Sequence, residues 1–362
     1  MTLPVIALLG KKDQPTDAVE EYCRYLAAAL QPHDIQMEIR RVPWEVHGWH
    51  ESLNALKRMT TQWRNTWVLV QYTALAWSAR GFPLKLLRAM KILKSAGVRL
   101  GIVYHDAEPY AGTRLLDSFR RFIQVHTMRR ALAQADLAIF TVPPERLSWP
   151  PAKLPQQSAF IPVGANLPIP TEPLAPTRGE SSVPTISVFS ITGGAPGTRE
   201  TELILSTVRH ATAKLGRLHL SVFGRHAELR EAALCEGLRD FPVDLSVEGI
   251  VDPARVVQNL CACNVLLFVR GPVSSRRSSA IAAISCGLPV IAFSGSETAA
   301  PITDAGVVLI PPDQPSQLSD ALVQVLSNPD LQAQLSTRSR TAHRDHFSWA
   351  AIATKLANLL QP

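Results

Sequence analysis

The chain has 362 residues, 46% of them hydrophobic and 19% charged, with a formal net charge of +7. That length predicts two domains, and the composition excludes disordered, collagen-like and disulfide-scaffold classes. The whole cationic excess lies before residue 170, where 21 Lys and Arg face 13 Asp and Glu and six of the seven Trp occur.

Residues 3–9 form a short apolar run with no basic residue ahead of it, which predicts a first strand rather than a secretory signal. A helix over 17–30, strands over 35–42 and 67–72, a helix over 83–95 and a strand over 99–104 follow. A long helix over 114–134 and a strand over 137–141 close the first half. Residues 167–184 are rich in proline and show no helical or strand period, so they predict a linker. The alternation then restarts with strands over 186–189, 218–224, 244–248, 265–269, 288–293 and 307–310. Helices are predicted between them over 200–214, 227–238, 253–261 and 278–286, with another over 315–327. Strands alternating with helices imply parallel sheets covered on both faces. No apolar run approaches the roughly 18–20 residues of a membrane span. Five scattered cysteines without a zinc pattern are expected to be reduced thiols, which points to the cytoplasm.

The densest chemistry lies in SSRRSSAIAAISCGLPVIAF, residues 274–293. Ser274, Ser275, Arg276, Arg277, Ser278 and Ser279 gather hydroxyls and two guanidiniums at a predicted helix start. Free backbone N–H groups and the helix dipole also favour anions there, so the cluster suits a diphosphate. A cap with two solvated arginines is the plainer alternative.

Cys286 to Ala292, CGLPVIA, together with VEGIVDPARVVQNLCACNVLLFV (247–269), FIPVGANLP (160–168) and FSWAAIATKLANLL (347–360), resembles the retaining, family 4-like GT-B glycosyltransferases. The resemblance implies two Rossmann-like doubly wound domains facing across a cleft. Residues 1–170 would form an acceptor-side domain, 171–184 the linker and 185–346 a nucleotide-sugar domain, with a helix in 347–362 crossing back to the first. Family members commonly carry a Glu-x7-Glu pair at the positions held here by Ser274 and Ala282, so both carboxylates are absent.

Such an enzyme must stabilise a departing nucleoside diphosphate. No two Asp stand two residues apart, so fixed cations and backbone dipoles replace a metal clamp, and neither metal nor cofactor is expected. Arg276 and Arg277 are the first candidates for that task. Arg199, after a Gly-rich turn, and Gly224 with Arg225 at a strand end are further donor-side candidates. Glu297 and Thr298, which follow the strand over 288–293, are possible substitutes for the absent carboxylates. Gly10 ends the first strand, where the family loop packs near donor and acceptor. His105 and Asp106 end the strand over 99–104 and are catalytic candidates on the transferring sugar, while Asn166 is placed on the acceptor side.

The helices over 83–97 and 114–134 set Lys and Arg among Leu, Ile and Phe, a pattern suited to an anionic membrane surface. Half-buried helices with snorkelling cations show the same pattern. The expected activity is transfer of a sugar from a nucleotide-diphosphate donor to a glycan or lipid-linked acceptor in bacterial cell-surface polysaccharide synthesis. A non-catalytic nucleotide-sugar binder and a sugar-nucleotide 2-epimerase-like isomerase are the alternatives. No nucleic-acid reading motif accompanies the basic excess.

Overall fold

The structure, a computed structural model, describes residues 2–155, 157–169 and 183–361. Its contacts define two compact units. One runs up to Pro162 and takes in the segment from Trp349 onward; the other is Val163–Ser348. The division falls ahead of residue 170. Most of the expected linker, residues 170–182, lies outside the described residues.

The first unit is built from β1 (Leu3–Leu9), α1 (Ala18–Leu30), β2 (Ile35–Arg41), α2 (Trp44–Met59), β3 (Trp67–Tyr72) and α3 (Leu84–Ser95). It continues with β4 (Arg99–Tyr104), α4 (Leu115–Gln134), β5 (Leu137–Phe140) and β6 (Ser158–Phe160). Its strands are all parallel, in the order β2-β1-β3-β4-β5-β6. WVLVQY of β3 is buried at every position because helices cover both faces of the sheet. Asp17 caps α1, its carboxylate accepting from the N–H groups of Val19 and Glu20.

Helix α2 is absent from the sequence expectation. Pro43 precedes it and Gly48, at φ +73°, interrupts it, so its apolar period is broken. Tertiary packing holds it instead: Trp44 stacks on Trp49 at 5.1 Å, and the Trp44 indole N–H donates to the Ala76 carbonyl at 2.8 Å.

The second unit contains β7 (Thr185–Phe189), α5 (Gly194–Leu215), β8 (Leu218–Phe223), α6 (Glu231–Leu238), β9 (Val243–Glu248) and α7 (Pro253–Cys261). Then come β10 (Val265–Phe268), α8 (Ser278–Ser285), β11 (Val290–Phe293), β12 (Val307–Ile310), α9 (Gln317–Ser327) and α10 (Pro329–Ala342). The parallel order is β12-β11-β10-β7-β8-β9. Helix α10 also escaped the sequence reading, since Leu335, Ser339 and Ala342 are its only buried residues. A last helix, α11 (Trp349–Leu360), belongs to the first unit. Trp349 stacks on Tyr25 there, and the Leu360 carbonyl accepts from the Trp67 indole at 2.9 Å.

Each strand order contains one reversal. In the first unit it lies between β1 and β3, in the second between β7 and β10. Ligands of doubly wound sheets bind outside the carboxyl ends of the strands at such a switch point.

Candidate functional site

At the first reversal, a cavity of about 350 Å³ opens beyond the ends of β1 and β3. Gly10, Gln71, Thr73 and Asp106 are among its lining residues. Gly10 is required there: a Cβ on it would stand 2.2 Å from the Ala76 carbonyl oxygen, which accepts from the Lys11 N–H at 2.7 Å. Asp106 lines the cavity while its carboxylate accepts from the Ala74 N–H at 2.6 Å.

His105 is placed differently from its neighbour, and its expected role is corrected. Its ring meets Tyr22 of α1 edge-on at 4.9 Å, and its Nε2 lies 2.8 Å from the Gln71 side-chain oxygen. The Gln71 amide nitrogen donates to the Leu69 carbonyl, which leaves the oxygen as acceptor and His105 as an Nε2–H tautomer. Burial lowers the His105 pKa to about 4, against a raising effect of Asp17, so the ring is neutral at pH 7. Successive residues of an extended strand end face opposite sides. Asp106 therefore reaches the cavity, whereas His105 packs on α1 and orients Gln71.

At the second reversal, the chain leaves β7 through Ser190 at φ +68° and enters α5 at Gly194. The helix starts six residues earlier than expected because Gly193 and Gly194 supply the turn and Pro196 suits a first turn. Arg199 consequently lies exposed inside α5, away from its free N–H groups, and the expectation that it marks the phosphate turn is corrected. Glu200, buried, accepts from the Thr192 N–H at 2.7 Å and braces this turn.

Gly224, at φ +95°, ends β8 beside the same turn. A Cβ there would lie 2.5 Å from the Ser190 hydroxyl, so the glycine serves contact with its own chain. The Ser190 hydroxyl in turn accepts from the Arg225 N–H at 3.2 Å.

Arg270 follows β10, and it shares one electrostatic neighbourhood with Arg225, Arg277 and Glu200. Burial lowers the Arg270 pKa, and Arg225 adds to the effect against Glu200. Burial, then Arg276, brings Arg277 down to about 10, with Glu297 and Glu200 opposing. Both guanidiniums stay charged at neutral pH. Among the described residues, the buried Nε atoms of Arg270 and Arg277 have no hydrogen-bond partner. Three cations around one carboxylate, with buried donors left over, describe a cradle for a multiply charged anion.

The structure separates the two arginines that the sequence grouped. Arg276 forks onto Glu297, with Nε to Oε2 at 2.7 Å and Nη2 to Oε1 at 2.8 Å. Ser274, fully buried, donates to the same carboxylate at 3.0 Å. Glu297 is thereby held as a carboxylate: burial tends to raise its pKa, but Arg276, Ser274 and Arg277 bring it below the ordinary value. Arg276 is thus a brace for the loop, whereas Arg277 keeps a buried Nε without a partner.

Thr298 is also a local fastener, its hydroxyl donating to the Val273 carbonyl at 2.6 Å and accepting from the Gly295 N–H at 2.9 Å. Ser275 is buried, and its carbonyl accepts from the Val163 N–H at 3.0 Å. That bond explains why Asn166 groups with the second unit and not with the acceptor-side domain where the sequence placed it. Ser278, exposed, and Ser279, buried, open α8 directly after Arg277. Arg270 was overlooked because it stands alone after an apolar strand; only the β7/β10 reversal gives it meaning.

Parallel order, single reversals and a group of cations at one of them define a doubly wound α/β protein. No protein-family model and no curated protein matches the chain. Solved structures do. HepE from Anabaena, in complex with UDP and glucose, is 15% identical with a TM-score of 0.66, covering 99% of both chains. A glycosyltransferase from Rickettsia africae is 11% identical with a TM-score of 0.68, covering 99% of this chain and 98% of its own. WaaG, a glycosyltransferase involved in lipopolysaccharide biosynthesis, is 14% identical with a TM-score of 0.63 over 99% of both chains. The chain therefore has the GT-B fold of these glycosyltransferases.

Proposed function

We propose that this protein is a retaining, metal-independent glycosyltransferase that moves a sugar from a nucleoside-diphosphate donor to a glycan or lipid-linked acceptor in bacterial cell-surface polysaccharide synthesis. The observation that carries the reading is the half-buried pair Arg270 and Arg277, each with a buried, unpartnered Nε, at the β7/β10 switch point. As the anomeric C–O bond breaks, negative charge develops on the leaving diphosphate. Fixed guanidiniums and the first N–H groups of α5 stabilise that charge without reorganising, a contribution of roughly 10²–10³ in rate per donor. UDP and glucose in the HepE complex support a nucleotide-sugar donor, and Gln71, Thr73 and Asp106 in the lining of the cavity at Gly10 suit a hydroxylated acceptor.

The same reading places the protein in the cytoplasm, at an anionic inner membrane face. No described helix is long and apolar enough to cross a membrane. Leu115, Leu116, Phe119 and Phe122 on α4 are nevertheless exposed at 91%, 71%, 55% and 64%, beside Arg114, Arg120 and Arg121. An apolar ridge flanked by cations favours peripheral binding to anionic lipid.

A second reading, a nucleotide-sugar binder without turnover, is favoured by Ser274 and Ala282, both buried where the family carries its glutamates. Calorimetric titration with UDP, GDP, ADP and their common sugars, followed by turnover assays, separates the two. Binding with donor hydrolysis or transfer supports the enzyme, and binding without either supports the binder. Failure to bind any nucleoside diphosphate overturns both.

A further inference from the structure

We propose that a groove on the first unit, lined by α2, α3 and the turn after α2, binds a phosphate monoester whose adjoining part is apolar. The groove encloses about 720 Å³, the size of a small-molecule site. Lys57, Arg64, Arg88 and Lys91 line it together, and no carboxylate does. Its apolar lining includes Leu53 and Ile92, which pack against the first unit's core from the half-buried side.

Several cations nearby are already engaged. Lys94, on the same helix as Arg88 and Lys91, is ion-paired with Asp136. Arg120 pairs with Asp117, and Lys85 lies over the Trp49 ring at 5.7 Å. Among the described residues, Lys57, Arg64, Arg88 and Lys91 take part in no such ion pair. The C-terminal dipole of α2 accounts for Lys57 alone. Arg88 and Lys91 lie mid-helix, where no dipole favours a cation. Four like charges converging on one groove repel one another, and a ligand bearing two negative charges offsets that repulsion.

A phosphate monoester fits both halves of the lining. Its dianion meets the guanidiniums and ammoniums, which bind phosphate as forks and point charges. The Ser95 side chain adds a hydroxyl at the same rim. The adjoining apolar part lies over Leu53 and Ile92. The site is independent of the donor reading, because the arginine cradle belongs to the second unit.

The test is calorimetric titration of the full chain with dihexanoyl phosphatidic acid below its micelle concentration. Glycerol 3-phosphate and dihexanoyl phosphatidylcholine are the companion ligands. Phosphatidic acid is expected to bind, phosphatidylcholine at least tenfold more weakly, and Arg88→Gln/Lys91→Gln to weaken phosphatidic acid by about tenfold. UDP titration of that double variant should match wild type, which shows that the protein is folded. Glycerol 3-phosphate binding as tightly as phosphatidic acid, and equally sensitive to the double substitution, supports the phosphate site and makes its source a soluble ester. Phosphatidic acid binding that is undetectable, unchanged in the double variant or equalled by phosphatidylcholine overturns the proposal.

Discussion

Arg276 holds Glu297 through two parallel hydrogen bonds of 2.7 and 2.8 Å, while the adjacent Arg277 leaves its buried Nε without a partner. One peptide bond thus separates a structural arginine from one available to an anion. The pair divides its labour by geometry, since both residues carry the same charge and stand between the same two serine pairs.

Substitutions at the two positions should therefore fail in different ways. Arg277→Gln, and likewise Arg270→Gln, is expected to keep the melting temperature near wild type and weaken nucleoside-diphosphate binding by about 10–100-fold. Arg276→Gln removes a fork from a largely buried carboxylate and should destabilise the second unit by about 1–3 kcal/mol. Calorimetry with UDP and thermal denaturation of each variant check this directly. Equal effects of Arg276→Gln and Arg277→Gln on binding would contradict the division.

Acid stability should carry the signature of Glu297. Its folded pKa lies below the ordinary value of 4.5. Its contribution is therefore complete above pH 4.5 and is lost as pH falls through the lower folded value. Glu297→Gln should lower stability at pH 7 and flatten the decline below pH 4.5, as read from melting temperatures between pH 3 and 7.

His105 acts over a higher range. Its folded pKa of about 4 lies below the ordinary 6.5, so the unfolded chain binds the extra proton first. Stability is full above pH 6.5 and declines toward pH 4, by at most about 1.4 kcal/mol per pH unit. His105→Gln should remove that slope. Persistence of the slope in the variant would show that another group causes it.

Gly224 has no tolerable replacement. An alanine there combines φ +95° with a Cβ 2.5 Å from the Ser190 hydroxyl. Gly224→Ala should cost about 2–4 kcal/mol in chemical denaturation.

The ridge on α4 separates surface chemistry from stability. Replacing Leu115, Leu116, Phe119 and Phe122 by serine removes exposed apolar area without opening the core, so the melting temperature should hold within about 2 °C. Co-sedimentation with phosphatidylglycerol vesicles should fall by at least tenfold. Unchanged sedimentation would exclude the ridge as a lipid contact.

Alternation of apolar strands with amphipathic helices was legible along most of the chain, because period and capping are local properties. WVLVQY reads as an apolar strand, and the helix expected over 253–261 coincides with α7. Helices α2 and α10 were not legible, since each is held by contacts made from outside its own sequence. The site divides in the same way. Anion-binding chemistry showed in SSRRSS, whose residue types and spacing are themselves the signal. That Arg276 is spent on Glu297, that His105 packs on Tyr22, and that the solitary Arg270 joins Arg225 and Arg277 were decided by tertiary structure alone. The physical reason is that a side chain's charge belongs to its sequence, whereas its freedom to meet a ligand depends on partners brought near by strand order, 21 residues away for Arg276 and 34 for the Gln71 beside His105.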